Sequence, residues 1–164
     1  MVLEFERFPL IMKEKVKTIV VQTPGDISYL YRIREFIAGI AIEAGIDQQD
    51  IDNIELAVDE ACTNVLEHGY APDDPNKELT IRLEINTSKL VLTVIDHAKP
   101  FNLLLYQPRD ITELKAEGKS GGLGIRLIRH IMDTIDYKIR PDGYNELIMT
   151  KYFTSVKQNK ELIS

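Results

Sequence analysis

A column of polar side chains interrupts an otherwise apolar helical segment, Glu55–Tyr70, which reads ELAVDEACTNVLEHGY. Glu60, Asn64 and His68 recur every four residues, so on a helix they lie on one shoulder of the apolar stripe, while Asp59 falls on its other side. A carboxylate one turn away from a carboxamide suits a hydrated magnesium ion, which prefers oxygen ligands. The carboxamide would then be the magnesium ligand and the carboxylate a general base. The same spacing also fits an ordinary solvated helix edge, so this chemistry requires a phosphate-binding element elsewhere.

The glycine-rich stretch KSGGLGIRL, residues 119–127, is the candidate for that element. Gly121, Gly122 and Gly124 allow close approach of the backbone, and the helix that follows offers free N–H groups and a positive dipole end to an anion. Neither a Walker motif nor a GxGxxG motif in a βαβ unit is present. Glycine also punctuates ordinary loops, so the stretch alone does not establish phosphate binding.

A third polar residue of interest is Asp96, in the segment VIDHAKPFN. It ends an apolar strand and precedes a turn, where its carboxylate can accept a hydrogen bond from an exocyclic amine and so bind adenine. Aspartate is also a common turn initiator, which is the alternative explanation. Pro100 and Phe101 follow and would anchor the loop beyond.

The elements that position these residues can be predicted from periodicity and turn signals. The predicted order is a strand (16–21), a helix (27–44), a second helix capped by Asp47 and running to Gly69, a hairpin (79–85 and 90–96), a long loop (99–122), a helix with apolar spacing through Ile135, and a last hairpin (137–140 and 146–153). Strands joined by short turns favour an α+β, two-layer sandwich, with a mixed but mostly antiparallel sheet and helices on one face.

Length and composition indicate one domain. The chain has 164 residues, of which 44% are hydrophobic and 28% charged, as expected for a globular protein. We assign residues 1–15 to an N-terminal extension, 16–154 to the domain and 155–164 to a polar tail. The first of these holds enough apolar residues to pack on its own domain or on a second subunit.

Charge and cysteine content restrict the partners and the location. The formal net charge of −6 argues against a nucleic-acid binder, which normally has a basic surface. A single cysteine, Cys62, excludes an intrachain disulfide and fits a reducing cytoplasm. No apolar run approaches the roughly 20 residues of a membrane-spanning helix, and no signal peptide is recognisable. We therefore expect a cytoplasmic protein with a protein or small-molecule partner.

Taken in order, the three motifs resemble the N box and two glycine boxes of the ATPase superfamily that includes gyrase, MutL and histidine kinases. More closely, the chain resembles the anti-sigma factor serine kinases of the RsbW and SpoIIAB type, over residues 19–153. This resemblance implies a Bergerat-type (histidine kinase-like ATPase) sandwich that binds ATP and Mg²⁺ beneath a mobile lid. It also implies phosphorylation of a serine on a STAS-type antagonist, binding of a sigma factor as the alternative partner, and a homodimer.

The resemblance also assigns roles to individual residues. Glu60 stands at the family's general-base position, Asn64 at its magnesium ligand and Asp96 at its adenine-binding aspartate. The remaining residues predicted to contact the nucleotide are His68, Ala98, Phe101, Lys119, Ser120, Gly121, Gly122, Leu123, Gly124 and Ile125. For His68, contact along the helix edge is a better explanation than a phosphoacceptor role.

The sequence departs from the family at Ala98, where the family usually has glycine, and at Asn102, often aspartate. If that glycine provides a positive φ or close approach to the base, Ala98 should strain the turn or weaken nucleotide binding. Ala98 therefore supports an alternative function, a nucleotide-gated module that sequesters a regulator with little or no kinase activity. An ATP-hydrolysing scaffold whose lid reports nucleotide state is a third hypothesis.

Overall fold

The described residues form a sheet of five strands with helices packed against it. A computed structural model describes residues 16–100 and 123–153. Its elements are β1 (Lys17–Pro24), α1 (Leu30–Glu43), α2 (Gln48–Asn64), β2 (Glu78–Ile85), β3 (Lys89–Asp96), α3 (Leu123–Ile131), β4 (Thr134–Ile139) and β5 (Asn145–Tyr152). A 3-10 turn, Ile27–Tyr29, precedes α1, and a π-helical turn, Val65–Gly69, continues α2. The extension predicted for 1–15 and the tail predicted for 155–164 lie outside the described residues.

The strands are ordered β1-β2-β3-β5-β4. Within the two described ranges every neighbouring pair is antiparallel, so the predicted α+β sandwich is confirmed with a wholly antiparallel sheet in place of a mixed one. The register of β3 and β5 pairs Asp96 with Asn145. The C-terminal end of β3 therefore lies beside the N-terminal end of β5, where the adenine site is predicted.

One hydrophobic core lies between the sheet and the helices. α2 packs between α1 and α3 and contacts both β3 and β5. Alternate residues of β2 are buried, as expected for a strand with one face on the core. Fully buried side chains from both layers meet in this core, among them Ile54, Val58, Leu92, Val94 and Met149. In the part of the chain that is described, no helix is both long and apolar enough to cross a membrane.

The first two predicted helices are present, although residues 27–29 form a 3-10 turn before α1 and residues 65–69 a π-helical turn after α2. Asp47 caps α2 by accepting a hydrogen bond from the backbone N–H of Asp50 at 3.0 Å, and α1 is followed by Gly45 with a φ of 77°. The prediction that the last helix extends through Ile135 is wrong, because α3 ends at Ile131. Ile135 lies instead in β4, paired with Met149, since its apolar spacing suits a half-buried strand equally well.

Candidate functional site

The candidate site is a pocket between the C-terminal end of α2 and the adjoining ends of β3 and β5. It contains about 330 Å³ of space free of protein atoms, counting the part open to solvent. Its described lining consists of Asn64, Val65, Gly69, Asp96, Ala98, Lys99, Tyr137, Asn145 and Leu147. Three of the residues predicted from the sequence, Asn64, Asp96 and Ala98, thus line one pocket, although 32 positions or more separate the first from the other two.

Asp96 ends β3 with its side chain only 5% exposed. Its Oδ1 accepts two hydrogen bonds, one from the backbone N–H of Ala98 at 2.9 Å and one from Nδ2 of Asn145 at 2.8 Å. Among the described residues no hydrogen bond reaches Oδ2. One carboxylate oxygen is therefore held by the protein, while the other is available to a ligand in the pocket.

The protonation of Asp96 is set by opposing effects. Burial raises its pKa above the ordinary value for aspartate, because desolvation disfavours the charged form. The hydrogen bonds from Asn145 and Ala98 favour the charged form and act in the opposite direction. An ionised carboxylate accepts hydrogen bonds only, which is what an exocyclic amine of a base requires.

Glu60 lies against the first turn of α3. A Cβ atom added at Gly124 would overlap Oε2 of Glu60, so the carboxylate lies close to the backbone at the start of that helix. Asp59 points elsewhere, as the sequence predicts, with its Oδ2 3.4 Å from Nη1 of Arg34 on α1. Of the two adjacent acids, Glu60 is therefore the one beside the predicted phosphate-binding element.

The surroundings of Glu60 make it a better proton acceptor than a free glutamate. Partial burial raises its pKa, and the negative charges of Asp59 and Glu67 act in the same direction. A carboxylate with a raised pKa binds a proton more readily, which suits a general base. This is consistent with the catalytic role predicted from the sequence.

Asn64 occupies the pocket wall one helical turn after Glu60. Its Nδ2 is buried and has no hydrogen-bond partner among the described residues. Its carboxamide can provide a neutral oxygen, a ligand type that magnesium accepts when phosphate oxygens and water complete the coordination. In the described ranges no group of three or more His, Cys, Asp or Glu side chains could hold a metal ion. Asn64 is thus the neutral oxygen donor in the pocket lining one turn after Glu60, and its role as a magnesium ligand stays a prediction from the sequence.

Ala98 does not strain the turn in the way the sequence suggested. No non-glycine residue in the described ranges has a positive φ, so this position does not require glycine for its backbone conformation. The methyl group fits because Gly69 faces it: a Cβ at position 69 would lie 2.9 Å from Cβ of Ala98. The backbone N–H of Lys99 also donates to the carbonyl of Gly69 at 3.2 Å. Gly69 thus provides the space that Ala98 takes.

Four other predicted site residues are absent from the described lining of this pocket: Glu60 and Gly124, which lie close to each other, and His68 and Ile125. His68 is exposed and is not part of the described lining. The π-helical turn is wider than an α-helical one, so the spacing of four residues that aligns Glu60 with Asn64 does not continue to His68. Ile125 is 5% exposed and packs in the core. Ile125 therefore packs α3 against the core.

Five further residues predicted to contact the nucleotide lie outside the described residues: Phe101, Lys119, Ser120, Gly121 and Gly122. Leu123 begins α3. Their contacts with the nucleotide stay predictions from the sequence.

Among the lining residues that sequence reasoning missed, Asn145 and Tyr137 are the two that form a hydrogen-bond network with Asp96. Asn145 is 2% exposed and contacts Asp96. The hydroxyl of Tyr137 donates a hydrogen bond to Oδ1 of Asn145 at 3.0 Å. Both lie in the last hairpin, where no motif or periodicity distinguishes them from ordinary strand residues. The only sequence signal is a polar asparagine directly after the turn PDGY, and its meaning depends on strand register.

Comparison with known proteins identifies the family of this domain. Residues 23–151 match the histidine kinase-like ATPase domain. The serine-protein kinase RsbW of Bacillus mycoides is 32% identical over 145 residues, covering 86% of this chain and 88% of that protein. RsbW of Bacillus licheniformis is 30% identical over 148 residues, covering 86% and 89%. The crystal structure of the RsbU and RsbW domains of Rv1364c from Mycobacterium tuberculosis shares the fold, with a TM-score of 0.57 at 17% identity over 82% of this chain and 32% of that one. The chain therefore belongs to the histidine kinase-like ATPase family, in the branch of the RsbW serine-protein kinases.

Proposed function

We propose that this protein transfers the γ-phosphoryl group of ATP to a serine of a STAS-type antagonist and binds a sigma factor as its alternative partner. The observation that carries the proposal is the contact of Glu60 with the glycine at the start of α3, in a domain whose family uses ATP. The relatives named serine-protein kinase RsbW support the kinase reaction. The partners, a cytoplasmic location and a homodimer are proposed from the family resemblance alone.

In the proposed reaction, the adenine amine donates a hydrogen bond to Oδ2 of Asp96, which places the phosphates toward the start of α3. The serine hydroxyl oxygen forms a bond to the γ-phosphorus, the bond from that phosphorus to the β,γ-bridging oxygen breaks, and ADP leaves with the electron pair. Glu60 orients the hydroxyl and accepts its proton. Phosphoryl transfer depends mainly on such positioning and on charge stabilisation.

Asn64 would hold magnesium through its carboxamide oxygen. The ion, when bound, offsets the negative charge of the phosphate oxygens. This role is supported by the place of Asn64 in the pocket lining, one helical turn after Glu60.

The test is phosphate transfer from γ-labelled ATP to a purified STAS-type candidate, comparing wild type with Glu60→Gln. We expect the substitution to reduce the rate about 100-fold or more, because general-base catalysis typically contributes that much. The affinity for ATP should stay within about twofold, since glutamine keeps the size of the side chain. Asp59→Asn is the matched control: it removes an adjacent charge that faces Arg34 and is only a secondary cause of the raised pKa of Glu60, so the rate should fall far less than in Glu60→Gln.

Two results would contradict the kinase proposal. If Glu60→Gln transfers phosphate as fast as wild type, Glu60 is not the general base. If wild type binds ATP but labels no serine in any STAS-type candidate, the nucleotide-gated binding module is the better explanation. Release of labelled inorganic phosphate without labelled protein would favour the ATP-hydrolysing scaffold.

A further inference from the structure

We propose that Asn145 is a positioning residue that fixes Asp96 for adenine binding, and that Tyr137 in turn fixes Asn145. The inference rests on the proposed function, in which Asp96 binds the adenine amine. It concerns residues of this chain that no sequence motif marks, and it identifies what makes the adenine site rigid.

The network arises from strand register. Asp96 and Asn145 are 49 residues apart in the chain but directly paired across β3 and β5. On the other side of β5, Asn145 pairs with Ile139 of β4, so Tyr137 is its diagonal neighbour on the same face. Asn145 therefore lies between the carboxylate of one strand and the phenol of another.

The partners of Asn145 determine the orientation of its amide. Nδ2 donates to Oδ1 of Asp96 at 2.8 Å and to the carbonyl of Ala98 at 3.0 Å, while Oδ1 accepts from the hydroxyl of Tyr137 at 3.0 Å. The two groups that accept from Nδ2, the Asp96 carboxylate and the Ala98 carbonyl, carry no proton when Asp96 is ionised. A flipped amide would place its oxygen against both of them, so only one orientation satisfies all three bonds.

The two hydrogen bonds from Nδ2 hold both ends of the turn that begins the adenine site. One fixes the Asp96 side chain, and the other fixes the backbone at Ala98, whose own N–H also donates to Asp96. Both donors to Asp96 use Oδ1, so the carboxylate presents Oδ2 to the pocket. Because Asn145 is almost completely buried, its bonds are shielded from competing water.

The test compares wild type with Asn145→Ala and Tyr137→Phe, using calorimetric titration with a β,γ-imido analogue of ATP. We expect the analogue to bind about 10-fold more weakly to Asn145→Ala, since a charge-assisted hydrogen bond is lost, and about 3-fold more weakly to Tyr137→Phe, since the amide loses its orienting partner. Asn86→Ala is the control. Asn86 accepts three hydrogen bonds in the turn at the far end of the β2-β3 hairpin, so its loss reduces stability without touching Asp96.

The pH dependence of binding separates positioning from a merely structural role. Removing Asn145 removes an interaction that lowers the pKa of Asp96, so that pKa rises further. Binding requires the ionised carboxylate and is lost as pH falls through that pKa. The acid limb of the affinity profile should therefore move to higher pH in Asn145→Ala, and less so in Tyr137→Phe.

Apart from Tyr137, which one of the variants replaces, the other ionisable groups near Asp96 are common to all the proteins compared. They are Cys62 on α2, Tyr70 after the π-helical turn, and His97 and Lys99 in the adjoining loop, together with the phosphates of the ligand. Burial raises the pKa of Cys62 to about 12 and also raises that of Tyr70, so both stay neutral in the range tested. Differences between variants thus report on Asp96.

Unchanged affinity and an unchanged acid limb in both variants would overturn the inference while leaving the proposed function intact. Should Asn145→Ala fail to fold, Tyr137→Phe decides the question by the same two measurements. An equal loss in Asn86→Ala would also overturn the inference, because general destabilisation would then explain the effect. Absence of binding by wild type would overturn the proposed function, and the inference with it.

Discussion

Glu60 has its place beside α3 because position 124 has no side chain. A Cβ at Gly124 would overlap Oε2 of Glu60, and the carboxylate is the movable end of a flexible side chain. We therefore expect Gly124→Ala to displace the carboxylate at little cost in stability. Phosphate transfer should fall about 100-fold, as for loss of a general base. Labelled-ATP assays and thermal unfolding measure the two effects.

Gly39→Ala is the matched control for this residue. Gly39 lies within α1, and a Cβ there would meet nothing within 4 Å. Gly39→Ala should stabilise the helix by up to about 1 kcal/mol and leave the rate of transfer normal. A Gly124→Ala enzyme as active as Gly39→Ala would show that the glycine does not position Glu60.

At the scale of elements, the N-terminus of α2 carries a stabilising cap, and its C-terminal turns carry the candidate site residues. Asp47 accepts a hydrogen bond from Asp50 at the N-terminus, whereas Glu60 and Asn64 lie in the last turns. Asp47→Ala should reduce the free energy of unfolding by about 1 kcal/mol, because it removes the N-cap. The affinity for ATP should not change. Urea unfolding and calorimetric titration check the two expectations.

The control for the cap is Asp52→Ala in the same helix. It also removes one acidic charge, and it breaks only a side-chain bond from Gln48, so it should cost about 0.2 to 0.5 kcal/mol. Equal destabilisation by Asp47→Ala and Asp52→Ala would mean that charge, and not capping, explains the effect.

At the scale of the whole molecule, the pocket joins the two layers of the sandwich. Its lining comes from α2 on one side and from β3, β4 and β5 on the other, so a bound nucleotide contacts both layers. ATP at 100 times its Kd should stabilise the protein by about 2.7 kcal/mol. For a chain of this size that corresponds to a rise in Tm of roughly 5 to 10 °C.

GTP is the matched ligand for this measurement. Guanine presents a carbonyl oxygen where adenine has its exocyclic amine, and the Asp96 carboxylate repels it. We expect little change in Tm with GTP at the same concentration. An equal shift with both nucleotides would show that the pocket recognises phosphates without reading the base through Asp96.

The sequence by itself determined most of the elements and which of them carry the candidate site residues. Apolar periodicity and turn residues predicted both long helices and both hairpins, because these signals are local. The spacing of Glu60 and Asn64 predicted their shared helix face for the same reason. The sequence prediction extended α3 too far, because the apolar spacing that ends at Ile135 fits a strand as well as a helix.

Only the tertiary structure decided which distant residues meet. The pairing of β3 with β5 places Asn145 on Asp96, and the packing of α2 against α3 places Glu60 on Gly124. The fit of Ala98 against Gly69 also comes from packing, which removed the strain expected from the sequence. Local propensity carries no information on strand register across 49 residues or on the space left by a facing glycine, because both arise from contacts between elements.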